Sequence, residues 1–364
     1  MFPLLVYYSI SIPVNTILKF FLYLCSMNFT DKTLYKLDFK ADLDKFADKL
    51  KAYVSTDMSI IVPPIKSQGI KTKLVPWIMD LAPKVSGKWI EPFLGTGVVA
   101  FNSGYKKAIL NDTNPHIINF YKGIQDKVIT APLMKQYLEK EGAILSAADN
   151  NGYEHYLRVR TRFNSGEFSP YDFIFLSRAG FNGMMRFGSK GNWNIPFCKK
   201  PDRFAQAYVT KITNQVANVS QIIQQEPDWI FYNKSFQDII PLATENDIIY
   251  CDPPYYGRHV DYYNGWTEKD EALLFDLLMS TKAKFILSTW HHNDWRENEM
   301  IKKFWDKFNI VTKDHFYHNG GSIENRRTIV EALVCNFDTN HFEQHNHGAK
   351  EKIKIKQLAF EWAE

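Results

Sequence analysis

Short apolar segments alternate with longer amphipathic ones in two parts of the chain, and this alternation limits the fold more than any other sequence feature. Apolar runs bounded by Gly, Pro or Asn predict strands at 88–94, 108–110, 229–232, 247–251, 283–289 and 329–337. Helices are predicted between them, notably at 114–125 and 268–280. Strand–helix alternation requires a mostly parallel sheet covered on both faces, so we predict an α/β protein.

The alternation stops in the middle of the chain, which predicts an insertion. The sheet domain is expected to comprise residues 58–128 and 228–338, with residues 129–227 as a largely helical inserted module. Within the insert, the Gly/Asn-rich segment 180–197 carries turn signals and is expected to form a β-hairpin. Residues 1–57 are interpreted as an N-terminal extension and residues 339–364 as a charged tail.

Positive charge is concentrated in the insert. The whole chain has a formal net charge of only +4. Residues 151–213 contain ten Lys and Arg against four acidic residues, a balance of +6 that leaves −2 for the rest. Such a segment is typical of a surface that faces phosphates, although a solvated helix face is the alternative on charge alone.

The N-terminal residues 1–26 are nearly all apolar, with Lys19 as their only charge. Pro3 and Pro13 interrupt the run, and neither a basic leader nor a small-residue cleavage site accompanies it. We interpret Met27 as the first translated residue, with a real membrane segment as the alternative. On the first interpretation the protein is cytoplasmic and has no stable membrane partner.

Four cysteines occur in the chain and none belongs to a C-x-x-C pair, so neither a disulfide framework nor a zinc site is predicted. Cys251 and Cys335 lie in apolar runs and are expected to be buried thiols. The histidines of the polar tail are interpreted as solvated, and no metal site is expected.

The tetrapeptide Asp252-Pro253-Pro254-Tyr255 is the strongest chemical motif and follows the apolar run at 247–251. It is therefore expected at the carboxyl end of a strand, where α/β folds bind ligands. The N6 amine of adenine is a poor nucleophile because its lone pair is delocalised into the ring. A carboxylate and a proline carbonyl that each accept one N6–H would free that lone pair, and the Tyr ring could stack on the base. A Pro-rich turn without chemistry is the alternative.

A second motif, Glu91-Pro92-Phe93-Leu94-Gly95-Thr96-Gly97, surrounds the turn after the first predicted strand. Its glycines would let a ligand approach the backbone closely. Asp112 follows 17 residues after Gly95 and can accept hydrogen bonds from ribose hydroxyls. The spacing of Gly95, Gly97 and Ala100 also fits a dinucleotide site, so NAD is a competing cofactor. Asp252-Pro253-Pro254-Tyr255 has no task in hydride transfer, which favours methyl transfer.

A third segment, Pro63 to Leu74, contains lysines around Gln68-Gly69 and alone predicts no more than a basic loop. In their order the three motifs resemble the Dam-like, D12-class adenine-specific DNA methyltransferases over residues 60–338. The insert is also similar to the recognition hairpin of that family, through its segments 178–186 and 194–197. Ser67 departs from the family pattern, in which many members have Trp.

The resemblance implies a Rossmann-like sheet that binds S-adenosylmethionine, with the insert as a target-recognition module for double-stranded DNA. The cofactor residues that it implies are Gln68, Lys71, Glu91, Phe93, Gly95, Gly97, Asp112 and Asp252. The catalytic residues that it implies are Asp252, Pro253, Pro254 and Tyr255. The DNA-binding residues that it implies are Lys66, Arg178, Phe181, Asn182, Arg186 and Pro196.

The predicted activity is therefore site-specific N6-methylation of adenine in DNA, within a restriction–modification system or without one. A cognate restriction endonuclease that acts separately is the expected partner in the first case. Two alternatives remain at this point. One is an RNA adenine methyltransferase, because the same tetrapeptide serves RNA, and the other is an inactive DNA-binding relative.

Overall fold

A computed structural model describes residues 60–67, 69–148, 150–188, 191–257, 265–316 and 328–339. The predictions for the N-terminal extension, for Met27 as a start and for the tail beyond 339 fall outside these residues. Among the described residues, no helix has the length and apolar character needed to cross a membrane.

Seven strands form one sheet in the described part of the chain, in the order β3-β2-β1-β4-β5-β7-β6. The strands are β1 (Trp89–Glu91), β2 (Lys107–Asn111), β3 (Asp228–Tyr232), β4 (Ile248–Cys251), β5 (Lys284–His292), β6 (Asn309–Phe316) and β7 (Thr328–Cys335). Strands β1 to β5 run parallel, whereas β7 is antiparallel to both β5 and β6. The predicted Rossmann-like α/β sheet is confirmed.

Alternate residues of the central strands enter two separate apolar cores. In β4, Ile248 and Tyr250 belong to one buried cluster, and Ile249 and Cys251 belong to the other. Side chains of a strand point alternately to its two faces, so both faces of the sheet are covered. This explains why β4 is a continuous apolar run, and it confirms the prediction that Cys251 is buried.

Helices cover the sheet and build the insert. The helices are α1 (Val75–Leu81), α2 (Pro115–Gln125), α3 (Ala131–Ala147), α4 (Tyr153–Arg162), α5 (Pro170–Ala179), α6 (Gln206–Gln225), α7 (Phe236–Ile239) and α8 (Glu268–Ser280). The helices predicted at 114–125 and 268–280 are α2 and α8. Asn114 caps α2 by accepting a hydrogen bond from the His116 amide, and Thr267 and Asp270 form a reciprocal capping box for α8.

Three strands differ clearly from the prediction, and one of them, β5, continues to His292, three residues beyond its predicted end. Strand β1 ends at Glu91, three residues early, because Pro92 cannot donate a ladder hydrogen bond and begins the turn. Strand β6 was missed altogether. It lies at the edge of the sheet and is mostly exposed, so its sequence is polar and lacks the apolar run that marks the central strands.

The insert is built from α3, α4, α5 and α6, which fall within the predicted range 129–227. Ionisable side chains link three of these helices. Glu141 of α3 lies 2.8 Å from His155 of α4, and Arg162 of α4 lies 2.5 Å from Asp172 of α5. One apolar core contains residues of both the insert and the sheet, including Phe173 of α5 and Ala108 and Leu110 of β2. The insert therefore packs directly against the sheet domain.

Residues 180–198, here called the insert loop, follow the antiparallel path that was predicted for a β-hairpin. Their described residues make isolated bridges, Gly180 with Phe197 and Phe187 with Trp193, rather than the regular strands of a hairpin. Asn182 has a positive φ of 51°, which is incompatible with a strand at that point. Trp193 is buried and anchors the loop to the insert.

Candidate active site

The tetrapeptide predicted to be catalytic, Asp252 to Tyr255, leaves the sheet at the carboxyl end of β4, next to β1 and β5. Residues 252–255 belong to neither helix nor strand, as the two prolines require. Pro253 is buried, and Asp252 and Tyr255 are partly exposed. The tetrapeptide thus lies at the edge where the ends of β1 and β2 also meet, which is where the sequence placed it.

Lys71 forms an ion pair with the Asp252 carboxylate. Its Nζ lies 3.0 Å from Asp252 Oδ1, and the lysine side chain is only 5% exposed. The same Nζ lies 4.8 Å from the centroid of the Tyr255 ring. Burial raises the pKa of the Asp252 carboxyl above its usual value, and the positive charge of Lys71 opposes that rise. Lys71 therefore helps to keep Asp252 ionised.

Glu331 is a buried partner of Tyr255 that the sequence analysis missed. The Tyr255 hydroxyl donates to Glu331 Oε2 at 2.6 Å and lies 3.4 Å from Ser288 Oγ. Glu331 lies on β7 and is fully buried. Its sequence signal was a single charge inside the apolar run TIVEALVC. The contact fixes the phenol, so the hydroxyl has a structural role in addition to the stacking surface of the ring.

The glycine turn after β1 is tied to the end of β2 through Asp112. The Gly95 amide donates to Asp112 Oδ2 at 2.8 Å, and the Asn114 amide donates to Oδ1 at 2.8 Å. Gly95 has a φ of +51°, and a Cβ there would meet nothing within 4 Å. The backbone at Gly95 is therefore open to a ligand. Each Asp112 oxygen retains acceptor capacity for a ligand hydroxyl.

Glu91 closes the inner end of the same site. Its Oε2 accepts a hydrogen bond from Trp89 Nε1 at 2.9 Å, and the residue is 2% exposed. Burial raises the pKa of Glu91 well above its usual value, and the nearby charges of Asp252 and Asp112 raise it further. The shift is toward the protonated form, in which a carboxyl can donate as well as accept a hydrogen bond.

Two adjoining cavities lie at this edge of the sheet. The inner cavity, of about 110 Å³, is lined by Lys71, Glu91, Phe93, Gly95, Asp112 and Asp252. The outer cavity, of about 590 Å³, shares Phe93, Gly95, Asp112 and Pro254 with it. The structure thus brings together six predicted cofactor residues around one space. Gln68 lies outside the described residues.

Gly97 shapes the site rather than lining it. Its amide donates to the Leu94 carbonyl at 2.7 Å, and a Cβ there would lie 2.7 Å from the Phe101 ring. Further lining residues that the sequence analysis missed come from other elements, namely Met185, Phe187, Phe236 and Trp266. Phe93, Phe236 and Trp266 pack against one another, with ring centroids 5.3–5.6 Å apart.

Comparison with known proteins decides the family. A sequence model of the D12 class N6 adenine-specific DNA methyltransferases matches residues 67–319, which is more than half of the chain. The chain belongs to this family. The resemblance of its motifs to the D12 class is confirmed, and with it the enzyme class.

Relatives of known function agree with that assignment. The chain is 31% identical over 198 residues to a DNA adenine methylase of Haemophilus influenzae, covering 53% of this chain and 63% of that protein. It is 31% identical over 228 residues to a DNA adenine methylase of Vibrio cholerae, covering 60% of this chain and 76% of that protein. It is 27% identical over 304 residues to modification methylase StsI of Streptococcus sanguinis, covering 79% and 45%.

In this D12-class methyltransferase, several residues predicted to contact DNA lie on the outside of the insert loop. Phe181 is 47% exposed, and Asn182 and Pro196 are also exposed. The Phe181 amide donates to the Pro196 carbonyl at 2.9 Å, which joins the two arms of the loop. Arg186 Nε donates to Asn194 Oδ1 at 2.8 Å, so the guanidinium is held across the same loop.

Lys66 and Arg178 lie behind that surface. The Lys66 side chain crosses Gly183, where an added Cβ would lie 2.3 Å from its Cε. Burial, with Arg203 and Arg178 adding to it, lowers the pKa of Lys66. Arg178 donates to the Pro64 carbonyl and to Gln215 Oε1. These internal contacts favour a supporting role for Arg178, and its direct contact with DNA remains a prediction.

Proposed function

We propose that this chain transfers a methyl group from S-adenosylmethionine to the N6 amine of adenine in double-stranded DNA. The observation that carries the proposal is the position of Asp252. Its carboxylate lines the same cavity as Gly95 and Asp112, so a group that binds the amine and groups suited to a nucleoside cofactor share one space. Membership in the D12 class supports the same activity.

The cavity residues fit this cofactor by their chemistry. Asp112 offers acceptors for ribose hydroxyls, and the open backbone at Gly95 allows close approach. Phe93, Phe236 and Trp266 offer apolar ring surface for a flat base. Lys71 and Glu91 lie at the inner end, where a charged amino acid portion would be received. S-adenosylmethionine, when bound, supplies a methyl group on a positively charged sulfur.

The tetrapeptide prepares the adenine. Asp252 and the carbonyl of Pro253 would each accept one N6–H, which favours a tetrahedral nitrogen with an available lone pair. Tyr255 would stack on the extruded base, and Glu331 fixes the orientation of its ring. The chain contributes mainly by positioning the two reactants. Ionised Asp252 is a stronger hydrogen-bond acceptor than the protonated carboxyl, and the charge of Lys71 favours the ionised state.

The insert loop would bind the DNA around the target. Its exposed Phe181 could fill the place that the adenine leaves, and Arg186 has the donors to read guanine in the major groove. Similarity to modification methylase StsI supports a place in a restriction–modification system. A restriction endonuclease that acts separately on the same site is the partner that we infer.

The proposal is tested by giving the full-length protein labelled S-adenosylmethionine with unmethylated duplex DNA or with RNA of matched sequence. The products are digested to nucleosides and separated by mass spectrometry. We expect N6-methyldeoxyadenosine from DNA and little label in RNA. Label on cytosine, preference for RNA, or absence of transfer with the cofactor bound would each contradict the proposal.

A further inference from the structure

The insert loop forms one wall of the outer cavity. Met185 and Phe187 of this loop line the same 590 Å³ space as Asp112, Phe236 and Trp266 of the sheet domain. The cavity is of the size that small-molecule sites usually have. Residues that follow the expected DNA-reading position Phe181 therefore also face the expected cofactor site.

A line of hydrogen bonds runs from the glycine turn to this wall. Gly95 donates to Asp112, and the same carboxylate accepts from the Asn114 amide. The Asn114 side chain then donates from Nδ2 to the sulfur of Met185 at 3.4 Å. Each end of the line meets one ligand site, the cofactor turn at Gly95 and the insert loop at Met185.

A second contact fixes the loop to the same helix. His116, two residues after Asn114, is buried, and its ring stacks on Phe187 with centroids 5.0 Å apart and planes at 21°. Burial lowers the pKa of His116 to about 4, so the imidazole is neutral at neutral pH. The start of α2 thus contacts Asp112 on one side and two insert-loop residues on the other.

We propose that Met185 is a shared residue of two sites, so that cofactor and target DNA bind cooperatively through the wall it forms. The proposal rests on the function proposed above, because it takes the cavity as the cofactor site. A ligand in the cavity would contact Met185 and restrict the loop that reads DNA. Coupling between two binding sites is reciprocal, so bound DNA must raise cofactor affinity by the same factor.

The neighbouring methionine provides a matched control. Met184 and Met185 have the same side chain and are both partly buried, but only Met185 is among the residues that line the cavity. A methionine side chain is flexible and adapts its contact to a ligand, and truncation to Ala removes that contact. Substitution of Met184 is free to change DNA affinity itself, but it should leave the coupling between the two ligands unchanged.

The experiment uses the full chain, S-adenosylhomocysteine as a non-reacting probe, and a fluorescent duplex carrying the site found by sequencing modified bases. Duplex Kd is measured by anisotropy with and without the probe, and probe Kd by calorimetry with and without duplex. We expect a coupling factor of about fivefold or more for the wild type. We expect Met185→Ala to bring the coupling factor within about twofold of unity. Met184→Ala should retain the wild-type coupling factor.

If Met185→Ala does not fold, Met185→Gln keeps the side-chain length but places a polar amide in the apolar wall, and it should lower the coupling at least threefold. Wild-type protein without coupling, or Met185 variants with full coupling, would overturn the proposal. Failure of the wild type to bind the probe at all would instead contradict the proposed cofactor. The two failures are therefore distinguishable.

Discussion

Tyr255 is held at both ends of its side chain. Its ring lies beneath Lys71, and its hydroxyl donates to a carboxylate that is completely buried. A buried acceptor that loses its donor costs about 1–3 kcal/mol, more if it is charged. At the scale of single residues, Tyr255 therefore has a structural role in addition to the base-stacking role proposed for it.

We expect Tyr255→Phe to lower the free energy of unfolding by about 1–3 kcal/mol and to reduce kcat, because the hydrogen bond from the Tyr255 hydroxyl to the buried Glu331 carboxylate is lost. The double variant Tyr255→Phe, Glu331→Leu should recover part of both losses. Urea unfolding and methyl transfer measure the two effects. Tyr256→Phe is the control, because Tyr256 bonds through its carbonyl to Trp290. An unaffected Tyr255→Phe variant would show that the ring alone matters.

The Lys71–Asp252 pair predicts a shift in the pH dependence of catalysis. Burial raises the pKa of Asp252 and Lys71 opposes the rise, so Lys71→Gln should raise that pKa further. Protonated Asp252 is a weaker acceptor for the amine, so activity should fall as pH falls through this pKa. At saturating cofactor, the acidic limb of kcat should therefore move to higher pH in Lys71→Gln. In the control variant Lys73→Gln, whose side chain is exposed, the acidic limb of kcat should not shift.

At the scale of elements, the insert depends on charges between its helices. The Glu141–His155 contact links α3 to α4, and Arg162–Asp172 links α4 to α5. The hydrogen bond from His155 lowers the pKa of Glu141 below its usual value. A carboxyl with a lowered folded-state pKa contributes stability above its unfolded pKa, and this contribution is lost as pH falls through the folded value.

We expect Glu141→Gln to reduce the free energy of unfolding near pH 7 by about 1.5–3 kcal/mol, since the buried carboxylate that contacts His155 and Arg162 loses its charge. The difference from the wild type should shrink as pH falls below about 4.3, the usual Glu pKa. Glu139→Gln on the same helix removes an exposed pair with Lys135 and should cost less than about 1 kcal/mol. If both variants lose the same free energy of unfolding, Glu141 does not stabilise the link between α3 and α4.

The sequence predicted those elements whose cause is local. The cap at Asn114, the capping box at Thr267 and the apolar run of β4 each specify an element without reference to the rest of the chain. Strand β6 was missed because an edge strand has little apolar sequence. The hairpin of the insert loop was only partly correct, because its path depends on Trp193, which anchors in the insert core.

At the scale of the whole molecule, the candidate site joins elements that are far apart in the chain. The ends of β1, β2 and β4 supply the predicted residues, because motifs with short internal spacing reveal them. Glu331, Met185 and Trp266 were not predictable, since each reaches the site by tertiary packing and has no local motif. The insert loop thereby connects the surface proposed to read DNA with the sheet domain.

That arrangement predicts a specific role for Arg186. Its Nε bond to Asn194 holds the guanidinium on the insert loop, where it would donate to guanine O6 and N7. We expect Arg186→Ala to cost about 1–3 kcal/mol on the preferred site and to relax preference at one position. Lys199→Ala, an exposed control, should weaken all sites alike. An unchanged motif at lower occupancy in Arg186→Ala would leave Arg186 a phosphate contact.

The central claim is that Asp252 prepares the adenine amine for methylation, and one comparison tests it most directly. Wild-type protein and Asp252→Ala are incubated with S-adenosylmethionine and unmethylated duplex DNA, and N6-methyldeoxyadenosine is quantified by mass spectrometry. Circular dichroism confirms that the variant is folded. We predict that the wild type forms N6-methyldeoxyadenosine and that the folded variant forms less than about a hundredth as much, since general positioning effects of this kind are worth at least that factor. A folded Asp252→Ala variant that retains a tenth or more of the wild-type product would contradict the account.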